Sequence, residues 1–471
     1  MRRAFHALAL TAMGAILLAG SRTALAADRP NLLLIMSDDH AAHALSCYGS
    51  RINNTPNLDR LARQGMRFAN CFCTNSICAP SRAVILTGKY SHLNGVRDNR
   101  KPFDGSQTTF PKLLQEAGYR TAIVGKWHLK SPPTGFDYWN VLPGQGRYHD
   151  PDFIEMGSRR KYPGYVTDVI TDLCIRWLKQ RDPDRPFCLL YHHKAPHGNW
   201  EPDAKHARLY DDADIPEPAT LFDDYHSRTG AIRTHTLTVD DNLYGRHYRA
   251  SPPEHLQGPE RRRWVYQRYI KDYLRCIASV DENVGRMLDY LEEAGLAAGT
   301  VVIYTSDQGF FLGDHGLYDK RFMYEHSLRM PLLVRYPPLV EAGSVADAIV
   351  LNLDFGPTLL ELAGVPIPPE MQGRSFRPIL GGETPAGWRT SMYYRFYEPA
   401  YGVGPHYGIR TDRYKLIHFL YGDRGWELFD LATDPNELNN IYDQPQLAGL
   451  VQELKAELQR LRKQYGDEQA D

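Results

Sequence analysis

The chain carries no block of basic residues and almost no net charge: 55 Lys and Arg stand against 56 Asp and Glu over 471 residues. Without a local excess of cations there is little to displace counterions from a phosphate backbone, so nothing supports nucleic-acid binding. Past the leader no apolar run is long enough to span a bilayer, which argues against stable membrane insertion. Internal repeats and low-complexity tracts are missing, so a solenoid or an extended disordered chain is not indicated. Cysteine is scarce, at seven residues. Cys47, Cys71, Cys73, Cys174, Cys188 and Cys276 repeat no metal-finger spacing and read as small buried apolar residues, their pairing left open.

What is present begins with a leader. Arg2 and Arg3 precede an apolar run from Ala7 to Ala19, and Ala24-Leu25-Ala26 is a small-x-small cleavage pattern. Residues 1–26 read as a secretory signal peptide, by the general or the twin-arginine route, with a mature chain starting near Ala27 or Asp28. The protein is therefore expected in the periplasm or outside the cell. An odd number of cysteines in an exported chain leaves at least one unpaired or chemically used, and Cys78 in Ser76-Ile77-Cys78-Ala79-Pro80-Ser81-Arg82 is the candidate.

Asn31 to Met36 is a short apolar run of the kind buried on both faces of a sheet, and Ser37-Asp38-Asp39-His40 stands at its carboxyl end. The same grammar recurs at Thr121–Val124, Phe187–Tyr191 and Val301–Thr305. These runs lead into Gly125-Lys126-Trp127-His128, His192-His193 and Ser306-Asp307-Gln308. Helical stretches fall between them, over Thr55–Gln64, Thr109–Ala117, Val166–Arg181 and Tyr266–Ala294. Alternation of this kind predicts an α/β fold with a doubly wound, largely parallel sheet whose strand ends share one rim, where ligands bind. Residues 200–259 read as an insertion over that rim. Alternating aromatic and β-branched residues over Ser391–Glu398 and Tyr407–Phe419 predict a small antiparallel sheet, and Leu447–Tyr465 a closing surface helix. The expected division is a catalytic domain over 27–370 and a C-terminal subdomain over 371–471.

Adjacent carboxylates at a strand end repel unless a cation neutralises them. Asp38 and Asp39, with Asp307 and the amide oxygen of Gln308 at a second strand end, form a hard oxygen donor set. Such a set favours calcium, then magnesium, over zinc.

Ser76 to Arg82 with Leu86-Thr87-Gly88, and Gly118 to His128, GYRTAIVGKWH, stand in the order of the two signatures of the type I sulfatases, and the chain resembles that family of the alkaline-phosphatase superfamily over nearly all its mature length. The resemblance implies an alkaline-phosphatase-like sandwich. It also implies that a maturation enzyme oxidises Cys78 to formylglycine, whose hydrate attacks sulfur and collapses to release sulfate. It adds Cys78 to the metal site, makes Arg82 a brace for the nucleophile, puts Lys126 and Lys320 on the sulfate, sets His128 beside the diol and has His197 protonate the leaving oxygen. His192, His193 and His315 are as readily structural. Many relatives carry asparagine where Gln308 stands, and both amides offer a neutral oxygen.

The stretch Ser306 to Pro337 and the segment His406 to Thr411 resemble bacterial glycan sulfatases, particularly those that remove 6-O-sulfate from N-acetylglucosamine, as well as arylsulfatases and iduronate-type enzymes. The implied partner is a sulfated glycan or small sulfate ester, with His406, Arg395 and Tyr394 on one side of a pocket that suits a terminal sugar. A phosphonate or phosphate monoester hydrolase and an inactive glycan-binding homologue are the rival readings.

Overall fold

The computed structural model of the chain describes residues 29–240, 242–243, 247 and 252–468. The leader expected over 1–26 lies outside the described residues.

Asn31–Ser37 is the centre of a ten-stranded sheet. It pairs in parallel with Phe187–His192 on one side and Thr300–Ser306 on the other. Leu32 through Met36 are all buried, which is why the strand reads as a continuous apolar run rather than an alternation. Arg120–Lys126 joins Phe187–His192 in parallel, and Tyr138–Leu142 joins Arg120–Lys126 likewise. The parallel expectation holds for these five strands. Beyond them the sheet turns antiparallel, through Leu332–Arg335 on one flank and the Asp152–Glu155, Ser158–Lys161 hairpin on the other. That last strand, Ser-Arg-Arg-Lys, is exposed along its length, and its charges guard the free edge against pairing with another chain.

Helices form over Pro56–Arg63, Phe110–Glu116 and Val166–Gln180, and the first two open on a proline in the first turn, where no amide partner is lost. The long helix runs Gly258–Glu293 and so begins before the expected Tyr266. Its leading turns are exposed and arginine-rich and carry no apolar period to read, while Pro259 suits a helix start. Pro56–Arg63, Val166–Gln180 and Gly258–Glu293 pack together, and Cys78–Thr87, Phe110–Glu116 and Phe355–Leu362 form a second group. Two such groups suit a sheet buried on both faces.

The C-terminal sheet has four antiparallel strands in sequential order, Ser391–Phe396, His406–Thr411, Tyr414–Phe419 and Gly425–Asp430. The fourth, Gly425–Asp430, lies beyond the alternation expected over Ser391–Glu398 and Tyr407–Phe419 and was not foreseen. The helix Ala448–Gln464 packs on the first two strands. Among the described residues, 200–257 run mainly through turns, with one 3-10 turn at Gly230–Thr234.

Candidate active site

Asp38 and Asp307 follow Ser37 and Ser306, which are paired in register on adjacent parallel strands. The two carboxylates therefore leave the sheet side by side. Asp39 takes a left-handed backbone, φ 70°, which a short polar side chain tolerates, and its amide donates to Asp307 Oδ1 at 3.1 Å. Oxygens of Asp38, Asp39 and Asp307 lie within 4.8 Å of one another, all buried. Gln308 Nε2 donates to Asp39 Oδ1, while Gln308 Oε1 is buried without a partner.

Cys78 begins the helix Cys78–Thr87, whose ten residues are all buried. Its Sγ is 3.5 Å from Asp38 Oδ1. Burial pushes the thiol well above its ordinary value, and the charges of Lys126 and Lys320 do not offset it. As encoded, the side chain is a protonated thiol and a poor nucleophile. One turn on, Arg82 donates Nε to Asp307 Oδ2 at 3.1 Å and Nη1 to the Lys126 carbonyl at 2.9 Å, while Nη2 lies 3.0 Å from Asp307 Oδ2 as an ion pair without hydrogen-bond alignment.

Lys126 ends the strand Arg120–Lys126, and its Nζ contacts Asp38 Oδ2 and Gln145 Oε1. Gly125 before it has φ 106°, and a Cβ there would run into the His192 carbonyl. Only glycine lets the strand end make this close approach. Lys320 Nζ contacts Asp39 Oδ1.

The three acids do not share these cations evenly. Burial raises Asp38, but Lys126, His197, Arg82 and Lys320 outweigh it and hold its carboxyl well below the ordinary value. Burial raises Asp39 to about 7, with Asp38 and Asp307 adding to the rise and Lys320 opposing it. Burial and the charge of Asp38 raise Asp307 as well. Negative charge is thus under-compensated at two of three carboxylates, and an amide oxygen is left over beside them. These residues fit a divalent cation.

His197 donates Nδ1–H to the Gly198 carbonyl at 2.6 Å, which fixes the tautomer and leaves Nε2 facing inward, 3.8 Å from Asp39 Oδ2. His197, Cys78 and Asp38 have donor atoms within 4.8 Å of one another. Burial and the Lys126 charge depress the imidazole. His128 follows Lys126 at φ 58°, with Nδ1 buried and unpartnered. Burial first and then Lys126 lower it to about 2, so the ring is neutral. Asp39, Cys78, His197 and Lys320 face a common cavity of about 140 Å³.

A family model described as Sulfatase matches residues 30–365, and one described as N-sulphoglucosamine sulphohydrolase, C-terminal, matches 313–464. The chain belongs to the sulfatase family. It is a sulfuric ester hydrolase. It is 47% identical to the N-acetylglucosamine-6-O-sulfatase of Bacteroides thetaiotaomicron, over 94% of this chain and 88% of that protein. A solved structure of a protein in complex with its substrate D-glucosamine-2-N,6-O-disulfate superposes with a TM-score of 0.90 at 46% identity, covering 93% of this chain and 99% of the other. The phosphonate monoester hydrolase of Agrobacterium radiobacter shares the fold, with a TM-score of 0.76 at 24% identity, covering 93% of this chain and 96% of the other.

Two residues expected at the sulfatase's substrate pocket lie elsewhere. His406 is fully buried, its Nδ1 on the Gly404 carbonyl at 2.8 Å and its ring among Phe322, Tyr394, Phe396 and Phe419. Arg395 pairs with Asp467 Oδ2 at 2.8 Å near the C-terminus. The strand of Arg395 reaches the site instead through Tyr394, whose hydroxyl donates to the Arg321 carbonyl at 2.5 Å and accepts from the Ser76 amide at 3.2 Å. His192 Nδ1 faces the Lys126 carbonyl at 3.2 Å, and His315 Nδ1 pairs with Asp223 at 2.8 Å. Both are structural.

Sequence reasoning missed other residues that line the cavity, among them Asn99, Gln145, Trp200, His247, Arg321 and Tyr401. Gln145 had a legible signal, since Pro143-Gly144-Gln145-Gly146 is a loop directly after a strand, as at the other four strand ends. Asn99 and Tyr401 had none, because long connections bring them in.

Proposed function

We propose that this sulfatase releases inorganic sulfate from a sulfated carbohydrate, with the 6-O-sulfate of N-acetylglucosamine or a related glucosamine as substrate. The observation that carries the reading is the shared cavity of Cys78, His197 and Lys320 in a chain 47% identical to an enzyme with that specificity. Formylglycine at position 78 would supply a geminal diol as nucleophile, and a cation, calcium before magnesium, held by Asp38, Asp39, Asp307, Gln308 and the residue-78 side chain, would supply positive charge at the sulfate.

The chain's own residues do the rest. Lys126 and Lys320 meet charge that grows on the sulfate oxygens, in a site dry enough for it to count. Arg82 locks Asp307 through two contacts and so holds the rim in shape. His197 Nε2, aimed by the Gly198 carbonyl, holds a proton for the departing sugar oxygen. Burial first and then the Lys126 charge depress its basicity, and binding an anion beside it offsets the second of these. His128, neutral, is a base or orienter.

A cavity of about 140 Å³ admits the end of a sugar rather than an internal stretch of chain, which supports action on terminal residues. The leader pattern at 1–26 supports export to the periplasm or beyond, and among the described residues no helix is long and apolar enough to cross a membrane. The test is sulfate release from N-acetylglucosamine 6-sulfate against its 3-sulfate, 2-O-sulfated uronides, an aryl sulfate and the matched 6-phosphate. Preference for the 6-sulfate supports the reading. Equal or faster cleavage of the phosphate, or of an aryl or uronide sulfate, would replace it.

A further inference from the structure

Asp314 lies outside the catalytic cavity, in the 3-10 turn Asp314–Gly316. It is 6% exposed, and its ion-pair partners among the described residues are two imidazoles. His43 Nε2 stands 3.2 Å from Oδ2, and His326 Nε2 stands 3.3 Å from Oδ1. His43 Nε2 is nevertheless buried with no hydrogen-bond partner, so the pair is close without being aligned. His326 Nδ1 is also buried and unpartnered. The two rings meet edge to face at 5.0 Å, and one donor atom from each of the three residues lies within 4.8 Å of the other two.

Two further observations point to a ligand. His43 and His326 line a cavity of about 430 Å³, giving an ion a route in and room for a water ligand. The arginines on that cavity are already engaged, since Arg329 and Arg410 both pair with Glu325 and leave Asp314 to the histidines. A comparable trio, Asp203, His206 and Glu282, differs in this respect. Lys205 is inserted there, 2.7 Å from Glu282, and already supplies the cation.

We propose that His43, Asp314 and His326 form a second metal site, which binds one zinc-class transition-metal ion with a solvent ligand in the fourth position. Two imidazoles and one carboxylate are borderline donors suited to zinc and unsuited to calcium or magnesium, which take all-oxygen shells. The protein thus carries two sites of opposite taste. The ion would join three separate segments: the turn after the central strand, the loop after Gln308, and the helix Glu325–Leu328. That helix matters to the catalytic side, because the Ser327 carbonyl accepts from Ser76 Oγ at 2.5 Å and from the Gly309 amide at 2.9 Å.

The test uses the full protein, stripped by a chelator, returned to saturating calcium and titrated with zinc chloride by calorimetry. One zinc per chain is expected, with affinity lowered by more than about tenfold in His43→Ala and in His326→Ala. No zinc uptake by the unaltered protein overturns the proposal, and so does uptake that both variants retain. Should the half-buried His326→Ala chain fail to fold, zinc-edge X-ray absorption of the unaltered protein decides instead. A shell with two imidazoles supports the site, and a shell with fewer overturns it.

Discussion

Gln308 gives its amide nitrogen to Asp39 Oδ1, and this leaves the opposite end of the side chain, Oε1, buried and unbonded beside three carboxylates. A buried acceptor without a donor is costly. A cation relieves it and the under-compensated acids together.

Chelation is therefore expected to abolish turnover, and calcium return to restore it. Asp39, raised to about 7 by burial and its acidic neighbours, binds a proton more readily than a free carboxylate, and that proton competes with the ion. Calcium affinity should fall as pH drops through about 7 and level off above it. Calcium titrations on either side of that value check the sign. Full activity in a metal-free sample contradicts the donor set.

Substituting Cys78 by alanine should remove turnover outright. The encoded thiol is a weak nucleophile, raised by burial beyond what the nearby lysines recover. Mass spectrometry of the Cys78 peptide from active enzyme should find an aldehyde in place of the sulfhydryl. Working protein with an intact thiol would refute the proposed nucleophile.

His197→Gln should slow hydrolysis by about 10²- to 10⁴-fold for sugar sulfates, whose leaving alkoxide needs a proton. The loss should shrink for aryl sulfates, which leave as stable phenolates. A uniform loss across both classes would point to a positioning role.

Asp467 accepts from the Tyr393 hydroxyl at 2.5 Å and pairs with Arg395 at 2.8 Å. Burial raises its carboxyl, but Tyr393, Arg395 and His92 outweigh it and hold it below the ordinary value. A depressed carboxylate stabilises the fold above its unfolded pKa, and this contribution is lost as pH falls through the folded one. Asp467→Asn should cost about 2 kcal/mol near neutrality, and the difference should vanish in acid. Denaturant melts of both proteins across that range measure it.

The strand ends were legible because burial on both faces writes an apolar run and the polar residues after it must face the rim. Asp38, Lys126 and Asp307 were found in this way. His406 and Arg395 were misplaced because the register of a small antiparallel sheet decides which side chains face the site, and alternation alone cannot say which face that is. The outermost strands of one flank of the large sheet were missed for a related reason: Met66–Phe68 and Ser344–Ala346, at three residues each, are too short to carry a period. The walls of the cavity come from long connections whose reach no local pattern encodes, whereas the charged floor comes from the scaffold itself.

That difference of origin has an evolutionary reading. With Ser37 paired to Ser306, the gap between the two leading acids is set by the ladder between neighbouring strands, so it does not drift when the overlying loops are rewritten. A lineage could exchange one sugar preference for another by editing Trp200, Arg321 or Tyr401 and inherit the sulfate-splitting machinery unchanged.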